Sequence, residues 1–162
     1  MFNRLKLPKG IKLIASDFDG VFTDGSIYIC EDSKTSKKIN FKDIMGVSQA
    51  LKNNFQIVLI SGEKSPAIDF LTNKFSQVEA HQGIREKIKI LEEVVKAKGL
   101  TPEEVIYIGD DVNDIDCLKY VKTGITVPNA NLKVKRLKNI KITKNPGGDG
   151  AFREVVDTLL QR

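Results

Sequence analysis

Two short stretches of the sequence concentrate carboxylates. Ser16-Asp17-Phe18-Asp19-Gly20 carries two of them one residue apart, and Gly109-Asp110-Asp111-Val112-Asn113-Asp114 carries three within five positions. Carboxylates gathered at one place repel each other and raise each other's pKa unless a cation neutralises them. Oxygen ligands without His or Cys select a hard ion such as Mg²⁺. Because Mg²⁺ keeps several waters and often coordinates substrate phosphate, the pattern points to phosphate chemistry rather than a structural cage. A carboxylate beside the metal can attack phosphorus, giving an aspartyl-phosphate that water later cleaves. A second acid two residues on can protonate the leaving oxygen and then activate that water. Ser61, next to Gly62, can donate a hydrogen bond to a phosphoryl oxygen, and a lysine can balance its charge.

These groups must be positioned by the elements that precede them. Apolar runs at 11–17, 56–60 and 105–108 each stop at polar residues and read as buried strands. Helical patterns cover 44–51, 66–75, 84–98, 112–121 and 152–160, and Thr101-Pro102-Glu103-Glu104 opens one turn with a cap, a proline and early acids. The alternation predicts an α/β fold, a mostly parallel sheet with helices on both faces. Ligands of such sheets bind beyond the carboxyl ends of the strands, where the acidic stretches lie. Period-two spacing at 27–30 and 37–41 around a polar turn at 31–36 predicts a β-hairpin protruding from the sheet.

Composition bounds the rest. The 162 residues, 41% apolar and 29% charged, predict a single domain spanning 1–162 and exclude disordered, collagenous and disulfide-framework classes. No apolar run approaches the roughly 20 residues that cross a bilayer, and the first residues have no signal-peptide core. With Cys30 and Cys117 lying 87 positions apart, the expectation is a cytoplasmic protein that does not bind membranes. Six basic residues between 133 and 144 lack aromatic interleaving and read as a solvated face, not a nucleic-acid surface. His81, the single histidine, receives no role.

The ordered set Asp17-Phe-Asp19-Gly-Val-Phe-Thr23-Asp24-Gly25, Ser61-Gly62, Gln82-Gly83-Ile-Arg-Glu-Lys87 and Gly109-Asp110-Asp111-Val-Asn-Asp114 resembles the haloacid dehalogenase superfamily. Within it, the chain resembles the capless branch of 3-deoxy-manno-octulosonate (KDO) 8-phosphate phosphatases and their nine-carbon, sialic-acid-pathway relatives. The resemblance runs from about residue 11 to 154 and includes the late stretch Gly147 to Glu154. It implies a Rossmann-like fold with Asp17 as nucleophile and metal ligand, and Asp19 as general acid/base whose main-chain oxygen also reaches Mg²⁺. It further implies Asp110 as the third protein ligand, Ser61 and Lys87 on the phosphoryl group, and Asp111 and Asp114 supporting the ligands. Gaps of 44 residues from Asp17 to Ser61 and 23 from Lys87 to Asp110 leave no room for a cap domain. In the resembling family, neighbouring subunits of a homotetramer close the site, which would assign that work to residues 26–41 and 145–153.

The resemblance extends to a substrate loop at 37–46, implying substrate contacts from Asn40, Lys42 and Asp43. After Ser61-Gly62, the eight-carbon enzymes typically carry an arginine, with another on the next helix; here Glu63 and Leu71 stand there. Losing two cations weakens charge-assisted binding of a substrate carboxylate. Gly62, Glu63 and Lys74 resemble the pattern of phosphatases acting on nine-carbon 2-keto-3-deoxy sugar acids. The expected substrate is therefore a nonulosonate 9-phosphate, with KDO 8-phosphate as the alternative. A phospho-receiver domain or a catalytically silent regulatory module would share the acidic residues. The Asp17/Asp19 pair, together with the separate cluster at 110–114, argues for turnover.

Overall fold

A computed structural model describes residues 5–161. Residues 1–4, the start of the stretch read for a leader, and residue 162, the end of the predicted domain, lie outside the described residues. Six strands form one parallel sheet in the order β5-β4-β1-β6-β7-β8. They are β1 (Leu13–Ser16), β4 (Gln56–Ile60), β5 (Val78–His81), β6 (Val105–Ile108), β7 (Thr123–Thr126) and β8 (Lys141–Ile142). The antiparallel pair β2 (Tyr28–Ile29) and β3 (Thr35–Ser36) stands apart as a two-stranded ribbon.

The pleat sorts the strand residues between two cores. Ile14, Ile57, Leu59, Ile106, Ile108 and Ile125 face one side. There they meet α1 (Phe41–Lys52), α2 (Pro66–Lys74) and α6 (Ala151–Leu160) through Val47, Ile68 and Phe152. Their neighbours Leu13, Ala15, Val58, Ile60, Val105 and Tyr107 face the other side. That layer holds α3 (Lys87–Ala97), α4 (Ile115–Tyr120) and the short α5 (Leu132–Lys135) through Leu91, Leu118 and Val134. Burial on both faces explains why the central strands read as unbroken apolar runs. The result is a Rossmann-like sheet covered on both sides, with no cap evident among the described residues.

The hairpin expectation is corrected in register. Its return arm is Thr35–Ser36 rather than 37–41, because Asn40 accepts the Lys42 backbone N–H at 2.9 Å and starts α1 at Phe41. The helix expected at 84–98 begins at Lys87, which puts that lysine in its first turn.

Candidate active site

The register β4-β1-β6 brings Ser16, Leu59 and Ile108 side by side, so the residues following all three strands emerge together. The Asp17 N–H still bonds the Ile108 carbonyl at 2.8 Å, and the Ser61 N–H bonds the His81 carbonyl at 2.9 Å. Asp17 and Ser61 are thus fixed by the sheet itself, and both are buried.

Lys87 joins the two acidic stretches. Its Nζ lies 2.9 Å from Asp17 Oδ1 and 2.9 Å from Asp114 Oδ1, and the residue is 2% exposed. Asp114 is fully engaged: Oδ1 also accepts the Tyr107 hydroxyl at 2.8 Å, while Oδ2 accepts the Asp110 and Asp111 backbone N–H groups at 3.0 and 3.2 Å. Asp114 therefore shapes the 109–114 loop and holds Lys87. Asp111 is exposed and accepts its own neighbour's N–H, that of Val112, at 2.7 Å.

Asp17, Asp110 and Asp114 each offer a carboxylate oxygen within 4.8 Å of the others. Burial, then the charge of Asp114, drives the Asp17 carboxyl well above the ordinary range despite Lys87. Burial, with Asp114 and Asp111, raises Asp110 to about 7. Burial alone would lower Lys87, but Asp114 and Asp17 outweigh it and keep the ammonium charged. Three carboxylates against one ammonium leave the cluster short of positive charge, and an oxygen-only donor set fits a hard divalent cation.

Asp19 lies on the same loop as Asp17 but has a different lysine. Lys37, just past β3, places Nζ 2.8 and 2.7 Å from the two Asp19 carboxylate oxygens. Thr23 Oγ1 also reaches Asp19 Oδ1 at 3.4 Å, while accepting the Gly20 and Gly25 N–H groups at 3.1 Å each.

The residues read as a substrate loop have other partners. Asp43 is fully buried, and its two oxygens accept the backbone N–H groups of Gly150 and Arg153 at 3.0 Å each. It caps α6, so the expectation that Asp43 contacts substrate is corrected. Lys42 pairs with Asp149 at 2.8 Å, and Asn40 reaches the same oxygen at 3.2 Å. All three bind the glycine-rich stretch of their own chain. That stretch packs on the Asp17–Asp24 loop: the Gly148 N–H bonds the Val21 carbonyl at 3.0 Å, and a Cβ on Gly147 would fall 1.7 Å from the Gly20 carbonyl oxygen. Within 145–153, the stretch the resemblance assigns to closing a neighbour's site, Gly147, Gly148, Asp149 and Gly150 also have these partners in their own chain. Glu63 is exposed beside Ser61, to whose Oγ its N–H donates at 3.2 Å. Lys74 lies at the far end of α2, about 12 Å along the axis from its first residue, with Nζ 5.8 Å from the Phe75 ring. It is not gathered with the other groups.

Thr23 and Lys37 lie within the motif and loop read from the sequence but receive no role of their own there, and Tyr107 reads only as a strand residue. Thr23 had a local signal, four residues after Asp19; the partners of the other two are distant in sequence or hidden inside a strand pattern.

Comparison with known proteins supplies the relationship. Residues 24–154 match the family of haloacid dehalogenase-like hydrolases. The 3-deoxy-D-manno-octulosonate 8-phosphate phosphatase KdsC of Salmonella typhi is 31% identical over 153 residues, which cover 94% of this chain and 80% of that protein. The crystal structure of the Moraxella catarrhalis 3-deoxy-D-manno-octulosonate 8-phosphate phosphatase, with magnesium, phosphate and KDO, superposes with a TM-score of 0.89. It is 29% identical and is matched over 94% of this chain and 87% of its own. The cobalt-bound Haemophilus influenzae phosphatase gives a TM-score of 0.86 at 30% identity, over 94% of this chain and 88% of that one.

Proposed function

The chain belongs to the haloacid dehalogenase-like hydrolases, and from that premise we propose that it is a Mg²⁺-dependent phosphatase of 2-keto-3-deoxy sugar-acid phosphates. The observation that carries the reading is Lys87 buried between Asp17 and Asp114 at the ends of β1 and β6. A buried cation there offers a phosphoryl group a countercharge next to a nucleophile.

Asp17 and Asp110, with the Asp19 carbonyl, would hold Mg²⁺, which supplies charge neutralisation for an incoming phosphoryl group. Asp17 attacks phosphorus; a P–O bond to its carboxylate forms as the ester P–O bond breaks. Asp19 gives its proton to the leaving oxygen and later takes one from the water that cleaves the aspartyl-phosphate. Ser61 and Lys87 hold the phosphoryl oxygens, and Asp114 with Tyr107 keeps Lys87 aimed.

For the substrate, Glu63 and Leu71 stand where the eight-carbon enzymes carry arginines that pair with the KDO carboxylate, and Glu63 with Lys74 resembles the pattern of nonulosonate 9-phosphate phosphatases, which favours the nine-carbon ester. The second reading, KDO 8-phosphate, is favoured by the relatives at about 30% identity, which act on that ester. The assembly we propose is a homotetramer in which neighbouring ribbons cover the site. Ile27, Tyr28 and Ile29 leave large apolar side chains exposed on that ribbon, and Phe41 adds another close by. The reading carries one domain over 1–162 and a cytoplasmic location, in keeping with the free thiols of Cys30 and Cys117.

The test is phosphate release with Mg²⁺ from KDO 8-phosphate, a nonulosonate 9-phosphate and simple sugar phosphates, with Asp17→Asn as the blank. Preference for one keto-acid ester supports the reading; release no greater than the blank on every ester refutes it.

A further inference from the structure

Each acid of the Asp17/Asp19 pair has its own lysine. Lys87 comes from α3, inside the fold; Lys37 comes from the ribbon, outside it. The Lys37 contact is unlike the surface ion pairs of this protein. Lys34 and Asp32, for example, keep 83% and 53% of their side-chain surface in water, whereas Lys37 and Asp19 keep 12% and 29%. Desolvation strengthens such a pair, and a held backbone lowers its entropic cost. Lys37 meets that condition: Ser36 before it pairs with Tyr28, and Asn40 three residues later caps α1.

The aim of the Asp19 carboxylate rests on this lysine. Its remaining side-chain contact, Thr23 Oγ1 at 3.4 Å, is long for a hydroxyl–carboxylate bond. Lys37 also lines a cavity of about 390 Å³ between the ribbon and the start of α2, with Thr35, Ser36, Lys64, Ser65 and Phe70. An ester entering from that cavity meets the ammonium beside the acid. With both carboxylate oxygens on the ammonium, Asp19 can carry the proton it delivers only on an oxygen that Lys37 releases, so the lysine, keeping to the other oxygen, sets which one faces the leaving group.

We propose that Lys37 is the positioning residue for Asp19: the ribbon delivers an ammonium that aims the carboxylate at the leaving-group oxygen. This rests on the phosphatase reading above, in which Asp19 transfers its proton to the leaving oxygen as the ester P–O bond breaks and the bond to Asp17 forms. A lysine acting this way matters most where the leaving group most needs a proton. It also ties leaving-group departure to a ribbon that contributes no atom to the reaction.

The experiment compares kcat/KM for two kinds of ester in the full-length protein with Mg²⁺. One is 4-nitrophenyl phosphate, whose leaving group departs without protonation. The other is an alkyl ester, KDO 8-phosphate or the nonulosonate 9-phosphate, whichever the wild type cleaves faster. This constant reports steps through leaving-group departure and excludes hydrolysis of the phospho-enzyme. Lys37→Met is expected to lower the alkyl-to-aryl ratio at least about tenfold, within the range that proton transfer contributes. Lys37→Arg, which keeps the charge, should hold the ratio within about threefold of wild type. Asp19→Asn should show the same selective loss, and adding Lys37→Met to it should cost less than the product of the two single losses. Equal losses on both esters, an unchanged ratio in Lys37→Met, or multiplicative losses in the double variant overturn the proposal. A wild type that cleaves neither ester refutes the phosphatase reading itself, and the role of Lys37 falls with it.

Discussion

The space left by the missing side chain of Gly20 is filled by the carboxylate of Asp110. A Cβ on Gly20 would lie 1.9 Å from Asp110 Oδ2, and the glycine has a φ of +82°. The Asp17–Asp19 loop and the Asp110 loop approach this closely only because residue 20 is glycine. Gly20→Ala should therefore displace Asp110 and weaken Mg²⁺ binding at least about tenfold, as loss of a well-placed metal partner does. Calorimetric titration with Mg²⁺ checks this, and wild-type affinity in the variant would refute it.

Asp17→Asn should abolish multiple turnover while retaining the fold, because an amide cannot serve as the carboxylate nucleophile. Steady-state phosphate release alongside circular dichroism separates the two effects. Turnover persisting at the wild-type rate would remove Asp17 from the chemistry.

In the metal-free protein, the folded-state pKa of Asp110 is about 7, above its ordinary 3.8, and that of Asp17 is raised as well. A carboxyl raised in the folded state binds more protons there than in the unfolded chain, so its contribution to stability is complete below about pH 4 and is lost as pH rises toward 7. The apo protein should lose stability over that window, and the melting-temperature gain from Mg²⁺ should be larger at pH 7.5 than at pH 5.5. Thermal melts with Mg²⁺ or EDTA at the two pH values test this. An equal gain at both would show that the cluster does not exchange protons for metal.

Asp43→Ala removes acceptors from two backbone N–H groups, those of Gly150 and Arg153. The expected cost is about 1–3 kcal/mol, the range for a lost cap and an unpaired buried donor. Urea unfolding of the variant measures it. A loss confined to KM, with stability intact, would return Asp43 to the substrate pocket.

Glu63→Arg should shift preference toward the eight-carbon ester by about tenfold or more, since a charge-assisted hydrogen bond contributes about 1.5–3 kcal/mol. Competition between the two esters gives the ratio directly, and no change would take Glu63 out of the specificity argument.

The acids at the ends of β1 and β6 were legible because chemistry and strand termination coincide in a few consecutive residues. The short strands were not: Val78–His81 and Thr123–Thr126 have no apolar run, and β8 has two residues. Tyr107 reads as one more apolar residue of β6, since nothing local shows that its hydroxyl ends on Asp114 seven positions later. The pairing of Lys37 with Asp19 crosses a hairpin whose register the pattern left shifted. For Asp43, the partners lie 107 and 110 residues away, beyond any spacing argument; its family position suggested substrate, while its burial assigns it to α6.

That long reach sets an order of events during synthesis. When Asp114 emerges from the ribosome, every proposed catalytic group is outside the tunnel, yet the glycine-rich segment that wedges behind the Asp17–Asp24 loop is still inside it. The loop acquires its backing only as α6 forms and Asp43, waiting on α1, captures Gly150 and Arg153. A nascent or truncated chain ending near residue 140 would thus hold its reactive groups without a firm seat for the loop carrying two of them. Competence for chemistry arrives with residues 147–160.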